Sequence, residues 1–217
     1  MYKLVVFDLD GTLANTLYDL ANAVNKSLEE YGLTTHEVHC YNQFVGNGIN
    51  NLITQVLMDK ADDKDLFNKV KAYFDFYYPQ HLCDYTCAYD GMDKVLAYLS
   101  EHNVKTAVHS NKPHDYVPQI LKNLYPEHSF DIAWGHRDCY ERKPSAQALL
   151  AMMQQLNVTK DEVIYVGDSD VDVKTAHNAG VKVCGVSWGF RGKAELESAN
   201  ADFIAEDADE LLKILMG

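Results

Sequence analysis

A short apolar run near the start of the chain ends at two acids and a glycine, and this boundary constrains the fold more than any other feature. The stretch reads Val5-Val6-Phe7-Asp8-Leu9-Asp10-Gly11-Thr12-Leu13. An aliphatic run of this kind is typical of a strand that is buried on both faces, as in parallel α/β sheets. Asp8 then lies at the carboxyl end of the strand, where such sheets bind their ligands.

Asp8 and Asp10 also indicate which ligands this site could bind. Carboxylates held close together need a cation between them or must give up a charge. The backbone N–H groups of the turn after Gly11 can face an anion. A divalent metal ion together with a phosphate group satisfies both requirements. The alternative is an ordinary acidic turn, and the rest of the chain decides between the two.

From Asp90 onwards, short apolar runs alternate with stretches of helical periodicity. The apolar runs predict strands at residues 104–108, 131–134, 163–166, 181–186 and 202–204. Strands that alternate with helices indicate right-handed βαβ units. We therefore predict an α/β fold with a parallel sheet and helices on both of its faces.

Residues 15–85 follow a different pattern, with helical periodicity and no convincing strand. A helical block that interrupts a chain of strands is best interpreted as an inserted cap subdomain. The predicted domains are therefore a core of residues 1–14 and 86–217 and a cap of residues 15–85. Five aromatic residues near the end of the block are predicted to form its core, namely Tyr73, Phe74, Phe76, Tyr77 and Tyr78.

Composition excludes several kinds of partner. The formal net charge of -13 argues against nucleic acid or an anionic membrane, because both are bound by clustered Lys and Arg. The chain has neither an apolar run long enough for a membrane span nor a signal segment, so we expect a cytoplasmic protein, either a monomer or a homodimer. Its 5 cysteines include no CxxC pair and are expected to be free thiols in a reducing compartment.

Polar residues follow four of the predicted strands. Because the carboxyl ends of parallel strands meet at one edge of a sheet, these residues are expected to converge there. The four stretches are Asp8 to Thr12, His109 to Lys112, Lys143-Pro144, and Gly167 to Asp172.

In this order, DLDGTL, HSNK, RKP and GDSDVD resemble the four motifs of the haloacid dehalogenase superfamily of phosphohydrolases. The likeness covers nearly the whole chain. It implies a Rossmannoid core with an α-helical cap inserted after the first motif. It also implies Mg²⁺ as the cofactor and a small phosphorylated metabolite as the substrate.

The resemblance implies a role for each motif residue. Asp8 would be the nucleophile, and Asp10 would be the general acid and base. Lys143, preferred over Lys112 because a proline follows it, would stabilise charge on the phosphoryl oxygens. The expected metal ligands are Asp8, Asp168 and the backbone carbonyl of Asp10, and the expected phosphate contacts are Thr12, Ser110 and the Asn111 N–H group.

Two further acids follow the fourth motif's strand. Asp172 is assigned an orienting role outside the metal ligands, the alternative being a first-turn helix residue that the helix dipole stabilises. Asp170 is expected to be the N-cap of the helix that follows.

The cap carries a further likeness. The segment around Gly46 and Asn47 resembles the VGNG segment of phosphoglycolate phosphatases, and such a break before a helix offers N–H donors to a second anionic group of the substrate. The alternative is a plain corner between two helices.

Asp10 favours a phosphatase or a phosphomutase, and a β-phosphoglucomutase-like isomerase therefore stays open. A non-catalytic binding module is disfavoured by the intact motif residues.

Overall fold

The structure, a computed structural model, describes residues 2–217. The chain divides into two compact units. An α/β unit contains the residues up to Asn15 together with Ala88–Gly217, and a helical unit contains Thr16–Cys87. The role of the helical unit as a cap stays a prediction.

The strands that carry the motifs belong to the α/β unit. In chain order the strands are β1 (Leu4–Phe7), β2 (Ala14–Asn15), β3 (Cys87–Ala88), β4 (Lys105–Pro113), β5 (Ile132–His136), β6 (Val163–Gly167), β7 (Lys182–Val186) and β8 (Phe203–Ala205). Six of them form one sheet of order β5-β4-β1-β6-β7-β8, in which every neighbouring pair is parallel. The predicted α/β fold is confirmed, with β1 between β4 and β6.

Within the described residues, nine α-helices lie between these strands in the chain and a tenth follows the last strand. They are α1 (Leu17–Glu30), α2 (Tyr41–Phe44), α3 (Ile49–Leu57), α4 (Lys64–Tyr77), α5 (Met92–Glu101), α6 (Val117–Leu124), α7 (Gln147–Leu156), α8 (Asp170–Ala179), α9 (Lys193–Ser198) and α10 (Ala208–Met216). Helix α9 has only six residues, too few to display helical periodicity in the sequence. None of the helices in residues 2–217 combines the length and apolar character needed to cross a membrane.

The sheet is buried on both faces. Leu4 and Val6 belong to a core cluster with side chains of α7, α8 and α9. Val5 and Phe7 point to the opposite face and are also completely buried. Helices α5 and α6 contact β4, and α10 contacts β7 and β8. Burial on both sides explains why β1 is a continuous apolar run.

The helical unit has its own core, to which α4 contributes one face. Phe74 and Tyr78 are completely buried, whereas Phe76 is 67% exposed. The prediction that the whole aromatic run forms core is therefore wrong. Residues four apart share one face of a helix, and residue 76 projects away from that face.

Candidate active site

The sheet order explains how the motifs meet. Asp8 follows the last residue of β1, and Asp168 follows the last residue of β6, which pairs directly with β1. Strand β4, on the other side of β1, carries Ser110 and Asn111. The carboxyl ends of three adjacent parallel strands thus bring these residues to one edge of the sheet.

Lys143 links the first motif to the last. Its Nζ atom lies 2.8 Å from Oδ1 of Asp8 and 2.7 Å from Oδ1 of Asp172. All three side chains are buried. One ammonium group therefore lies between two carboxylates in a site with little access to water.

The side chain of Asn111 holds the backbone of Lys143. Its Oδ1 atom accepts a hydrogen bond of 2.8 Å from the Lys143 N–H group, and its Nδ2 atom donates one of 3.2 Å to the Lys143 carbonyl. Arg142 donates to the Asn111 carbonyl at 3.1 Å. The peptide bond between Lys143 and Pro144 is cis. Sequence reasoning considered only the N–H group of Asn111, so it missed this function of the amide side chain.

The carboxylate of Asp168 is held by the loop after β7. Its Oδ2 atom accepts a 2.7 Å hydrogen bond from the backbone N–H group of Phe190. A Cβ atom at Gly11 would lie 2.2 Å from Oδ2 of Asp168, and a Cβ atom at Gly189 would lie 2.3 Å from its Cβ atom. Only glycine fits at either position, so both glycines define the space around this carboxylate. Sequence reasoning assigned no role in the site to Gly189 or Phe190.

Asp172 is fixed by the start of its own helix. Its Oδ2 atom accepts hydrogen bonds from the N–H group of Ser169 at 3.1 Å and from the Ser169 hydroxyl at 2.6 Å. Ser169, in a reciprocal capping box with Asp172, is the N-cap of α8. The expectation that Asp170 is the N-cap is wrong, because Asp170 is the first helical residue and pairs with Lys174. The Ser-x-x-Asp spacing was the signal in the sequence.

Asp8, Asp168 and Lys143 have perturbed pKa values. Burial raises the pKa of Asp8 to about 7, with Lys143 opposing the rise and Asp172 adding to it. Burial, together with the charges of Asp172 and Asp8, raises the pKa of Asp168 well above its ordinary value. The pKa of Lys143 is also well above its ordinary value, because the attraction of Asp172 and Asp8 outweighs the cost of burial.

These observations fit a divalent cation. Carboxylate oxygens of Asp8, Asp168 and Asp172 all lie within 4.8 Å of one another. Hard oxygen donors are the ligands that Mg²⁺ prefers. A cation between Asp8 and Asp168 would offset the burial and the nearby negative charges that raise the pKa values of both acids. Asp172 is closely engaged by Lys143 and Ser169, which suits an orienting role better than a ligand role.

The second acid of the first motif has a different partner. Oδ1 of Asp10 lies 3.0 Å from Nζ of Lys112, and both side chains are largely buried. The hydroxyl of Thr12 is buried and has no hydrogen-bond partner among the described residues. A buried hydroxyl in this state suits a site that receives a polar ligand. Ser110, whose hydroxyl accepts from the Lys112 N–H group at 3.2 Å, is also buried.

Tyr165 and His109 are two buried polar side chains near Lys143, and the sequence assigned neither of them a role. Nζ of Lys143 lies 5.9 Å from the ring centroid of Tyr165. The Tyr165 hydroxyl donates a 3.0 Å hydrogen bond to the carbonyl of His109. Burial and the nearby Lys143 charge hold the pKa of His109 well below its ordinary value. Tyr165 lies within a predicted strand, whereas His109 was expected to follow a strand and instead lies within β4.

Gly46 and Asn47 lie in the helical unit, in the turn between α2 and α3. Gly46 has φ 118°, and Gly48, the N-cap of α3, has φ 82°. The Asn47 side chain is exposed. Their assignment to substrate binding stays a prediction.

Comparisons with known proteins agree with this geometry. A family model described as haloacid dehalogenase-like hydrolase matches residues 5–186. Relatives named phosphoglycolate phosphatase from Mannheimia succiniciproducens and Haemophilus influenzae are 32% and 33% identical, each over 99% of this chain and 98% of the relative.

Two solved structures are also similar to this chain. A structure described as a predicted phosphoglycolate phosphatase from Haemophilus somnus is 31% identical and superposes with a TM-score of 0.91, over 99% of this chain and 98% of that one. A structure from Thermotoga maritima that is named for β-phosphoglucomutase is 22% identical with a TM-score of 0.78, over 100% of this chain and 99% of that one. At that identity the second likeness concerns the fold alone.

Proposed function

The chain belongs to the haloacid dehalogenase-like hydrolase family and is a phosphatase, and we propose that it hydrolyses a small phosphate monoester, phosphoglycolate, through an aspartyl-phosphate on Asp8. One observation carries the proposal. The carboxylate of Asp8 is 2.8 Å from the Lys143 ammonium and within 4.8 Å of the Asp168 carboxylate. A nucleophile, a fixed positive charge and a second acid suited to a metal ion therefore share one buried site.

The first half of the reaction forms the covalent intermediate. A carboxylate oxygen of Asp8 attacks phosphorus while the bond from phosphorus to the leaving oxygen breaks. Asp10 gives its proton to that leaving oxygen, which departs as an alcohol. Lys143 stabilises the charge on the equatorial phosphoryl oxygens. The buried hydroxyl groups of Thr12 and Ser110 and the N–H group of Asn111 donate hydrogen bonds to the same oxygens.

The second half releases phosphate. Asp10 takes a proton from a water molecule, which attacks phosphorus and breaks its bond to Asp8. The free carboxylate of Asp8 is restored, and Lys143 is again its partner.

Asp8, Asp168 and the backbone carbonyl of Asp10 would hold Mg²⁺. When bound, the ion would screen the repulsion between the nucleophile and the phosphate and would orient the phosphoryl group. Asp172 keeps Lys143 in place from the other side.

Phosphoglycolate is proposed on two grounds. The relatives that match about one third of the residues over the full length are named for it. The turn before α3 begins that helix with a glycine N-cap, and its backbone N–H groups suit the carboxylate of the substrate. Isomerisation of a sugar phosphate has less support, because the likeness to a phosphoglucomutase concerns the fold alone.

The test is a screen of phosphate esters with the purified protein after removal of metal by EDTA. Phosphoglycolate, p-nitrophenyl phosphate, glucose 1-phosphate and glucose 6-phosphate are each assayed with and without added Mg²⁺. We expect release of inorganic phosphate that depends on Mg²⁺, with the highest kcat/KM for phosphoglycolate. Interconversion of the glucose phosphates without release of phosphate would contradict the proposal, as would turnover that EDTA leaves unchanged.

A further inference from the structure

The ion pair between Lys112 and Asp10 is a second buried contact between motifs, separate from the pair made by Lys143. Nζ of Lys112 lies 3.0 Å from Oδ1 of Asp10. The side chain of Lys112 is 3% exposed, and that of Asp10 is 12% exposed. Lysine is seldom buried to this degree without a specific partner. The ammonium group is therefore engaged inside the protein, close to the acid that exchanges protons with the substrate.

The irregular backbone around Lys112 determines the direction of its side chain. The pairing of β4 with β5 shifts register between His109 and Pro113, so four steps along β4 face two steps along β5. Irregularities of this kind redirect side chains near active sites. The carbonyl of Lys112 lies so close to Gly135 of β5 that a Cβ atom there would approach it to 2.4 Å. A glycine at 135 is thus part of the arrangement that places Lys112.

We propose that Lys112 is a positioning residue that acts through Asp10, holding the carboxyl group of Asp10 in the orientation needed for proton transfer to the leaving oxygen. The inference rests on the proposed function, because it assumes that Asp10 is the general acid and base. The proton passes to the leaving oxygen as the phosphorus–oxygen bond breaks.

The rate of proton transfer depends on the position of the general acid, so a residue that fixes that position affects the rate. A general acid must lie within hydrogen-bond reach of the oxygen it protonates. A displacement of about 1 Å is sufficient to reduce a rate by about 10²-fold. Asp10 lies beyond the end of β1, where its backbone forms an isolated bridge with Ala14. Lys112 supplies a fixed contact from the neighbouring strand.

A direct role of Lys112 in substrate binding would give a different result in a double-mutant cycle. If Lys112 acts through Asp10, its removal has no further effect once Asp10 has lost its acid function. If Lys112 binds the substrate itself, its removal raises KM whether or not Asp10 is intact. The cycle therefore separates the two roles.

The experiment uses Lys112→Met, Asp10→Asn and the double variant, assayed with phosphoglycolate and with p-nitrophenyl phosphate. An alkyl phosphate needs a proton on its leaving oxygen, and p-nitrophenolate leaves without one. We expect Lys112→Met to lower kcat for phosphoglycolate about 10- to 100-fold, with KM nearly unchanged. For p-nitrophenyl phosphate, pre-steady-state release of p-nitrophenolate reports the first step alone, and its rate should fall at most a few-fold. In the Asp10→Asn background, Lys112→Met should change kcat less than about twofold.

Two controls accompany the cycle. Lys174→Met removes an exposed ion pair on α8 and should leave both activities unchanged. Lys112→Arg keeps the charge and should restore most of the kcat for phosphoglycolate. If Lys112→Met lowers the melting temperature enough to prevent assay, Lys112→Gln replaces it in the same cycle.

The inference is overturned if first-turnover release of p-nitrophenolate slows as much as hydrolysis of phosphoglycolate, if KM rises in the Asp10→Asn background, or if the two substitutions have additive effects on kcat for phosphoglycolate. A wild-type protein that releases no phosphate from either ester would contradict the proposed function itself. The two failures are thus distinguishable, since the first is observed with an active wild-type enzyme.

Discussion

The Nζ atom of Lys143 lies 2.8 Å from Oδ1 of Asp8, although the two residues are far apart in the chain. The contact depends on the loop before α7, which is held by the side chain of Asn111. Asn111 belongs to the second motif, Lys143 to the third and Asp8 to the first. The ion pair between Lys143 and Asp8 therefore depends on the correct folding of three separate segments.

Replacement of Asp8 by Asn should abolish hydrolysis. An amide of the same size keeps the volume of the buried side chain but is a poor nucleophile and a weak metal ligand. We expect kcat for p-nitrophenyl phosphate to fall by at least about 10³-fold, with weaker binding of Mg²⁺. The matched control is Asp170→Asn, a half-buried acid at the start of α8, which should keep wild-type activity. Substantial turnover by Asp8→Asn would remove Asp8 from its assigned role.

Replacement of Asp10 by Asn should affect esters according to their leaving groups. The amide has no proton to give, so alkyl phosphates should lose about 10²-fold or more in kcat. Esters of p-nitrophenol, whose anion is stable, should lose much less in the first step. Pre-steady-state release of p-nitrophenolate measures that step separately from hydrolysis of the intermediate. An equal loss of the first-step rate for both ester types would count against a general-acid role.

The strand ends and their convergence were predictable from the sequence. The apolar runs before Asp8 and Asp168 stop at polar residues, and the order of the sheet places these ends side by side. This part of the fold depends on local patterns, namely burial on both faces and the alternation of strands and helices.

The choice between the two lysines was less predictable. Sequence reasoning preferred Lys143 and gave Lys112 no role, yet both ammonium groups are buried in ion pairs with acids of the first motif. The direction of a long side chain depends on its local backbone. Here the register shift in β4 directs Lys112 toward Asp10, and no short motif encodes such a shift.

Binding of Mg²⁺ should strengthen as pH rises. Burial raises the pKa of Asp8 from 3.8 to about 7, and that of Asp168 is raised as well. Protons therefore compete with the metal ion below about pH 7. We expect the affinity for Mg²⁺, measured by calorimetry, to increase between pH 6 and 8, with uptake of the ion releasing protons to the buffer. An affinity that is constant across this range would contradict the raised pKa of Asp8.

The stability of the metal-free protein should change in the opposite direction. A carboxyl group whose pKa is higher in the folded state than in the unfolded state stabilises the fold at low pH, and this contribution is lost as pH rises through the folded-state value. With EDTA present, the contribution of Asp8 to the free energy of unfolding should thus fall between pH 6 and 8. Added Mg²⁺ should raise the melting temperature more at pH 8 than at pH 6. In Asp8→Asn both differences should be smaller, and equal slopes in the two proteins would contradict the assignment.

Replacement of Gly189 by Ala should impair the site without a change to any charged residue. The added Cβ atom would lie 2.3 Å from Cβ of Asp168 and 2.4 Å from the carbonyl oxygen of Gly11. Neither neighbour is the flexible end of a long side chain, so Asp168 or the loop must move. Because Asp168 is an expected metal ligand, we predict weaker Mg²⁺ binding and a loss of about 10²-fold in kcat/KM, since a misplacement of about 1 Å has that effect.

Gly192→Ala is the control in the same loop, where the Cβ atom meets open space at φ +74°. That variant should lose about 1 kcal/mol of stability through backbone strain and keep its activity, and equal losses of activity in the two variants would contradict the role of Gly189.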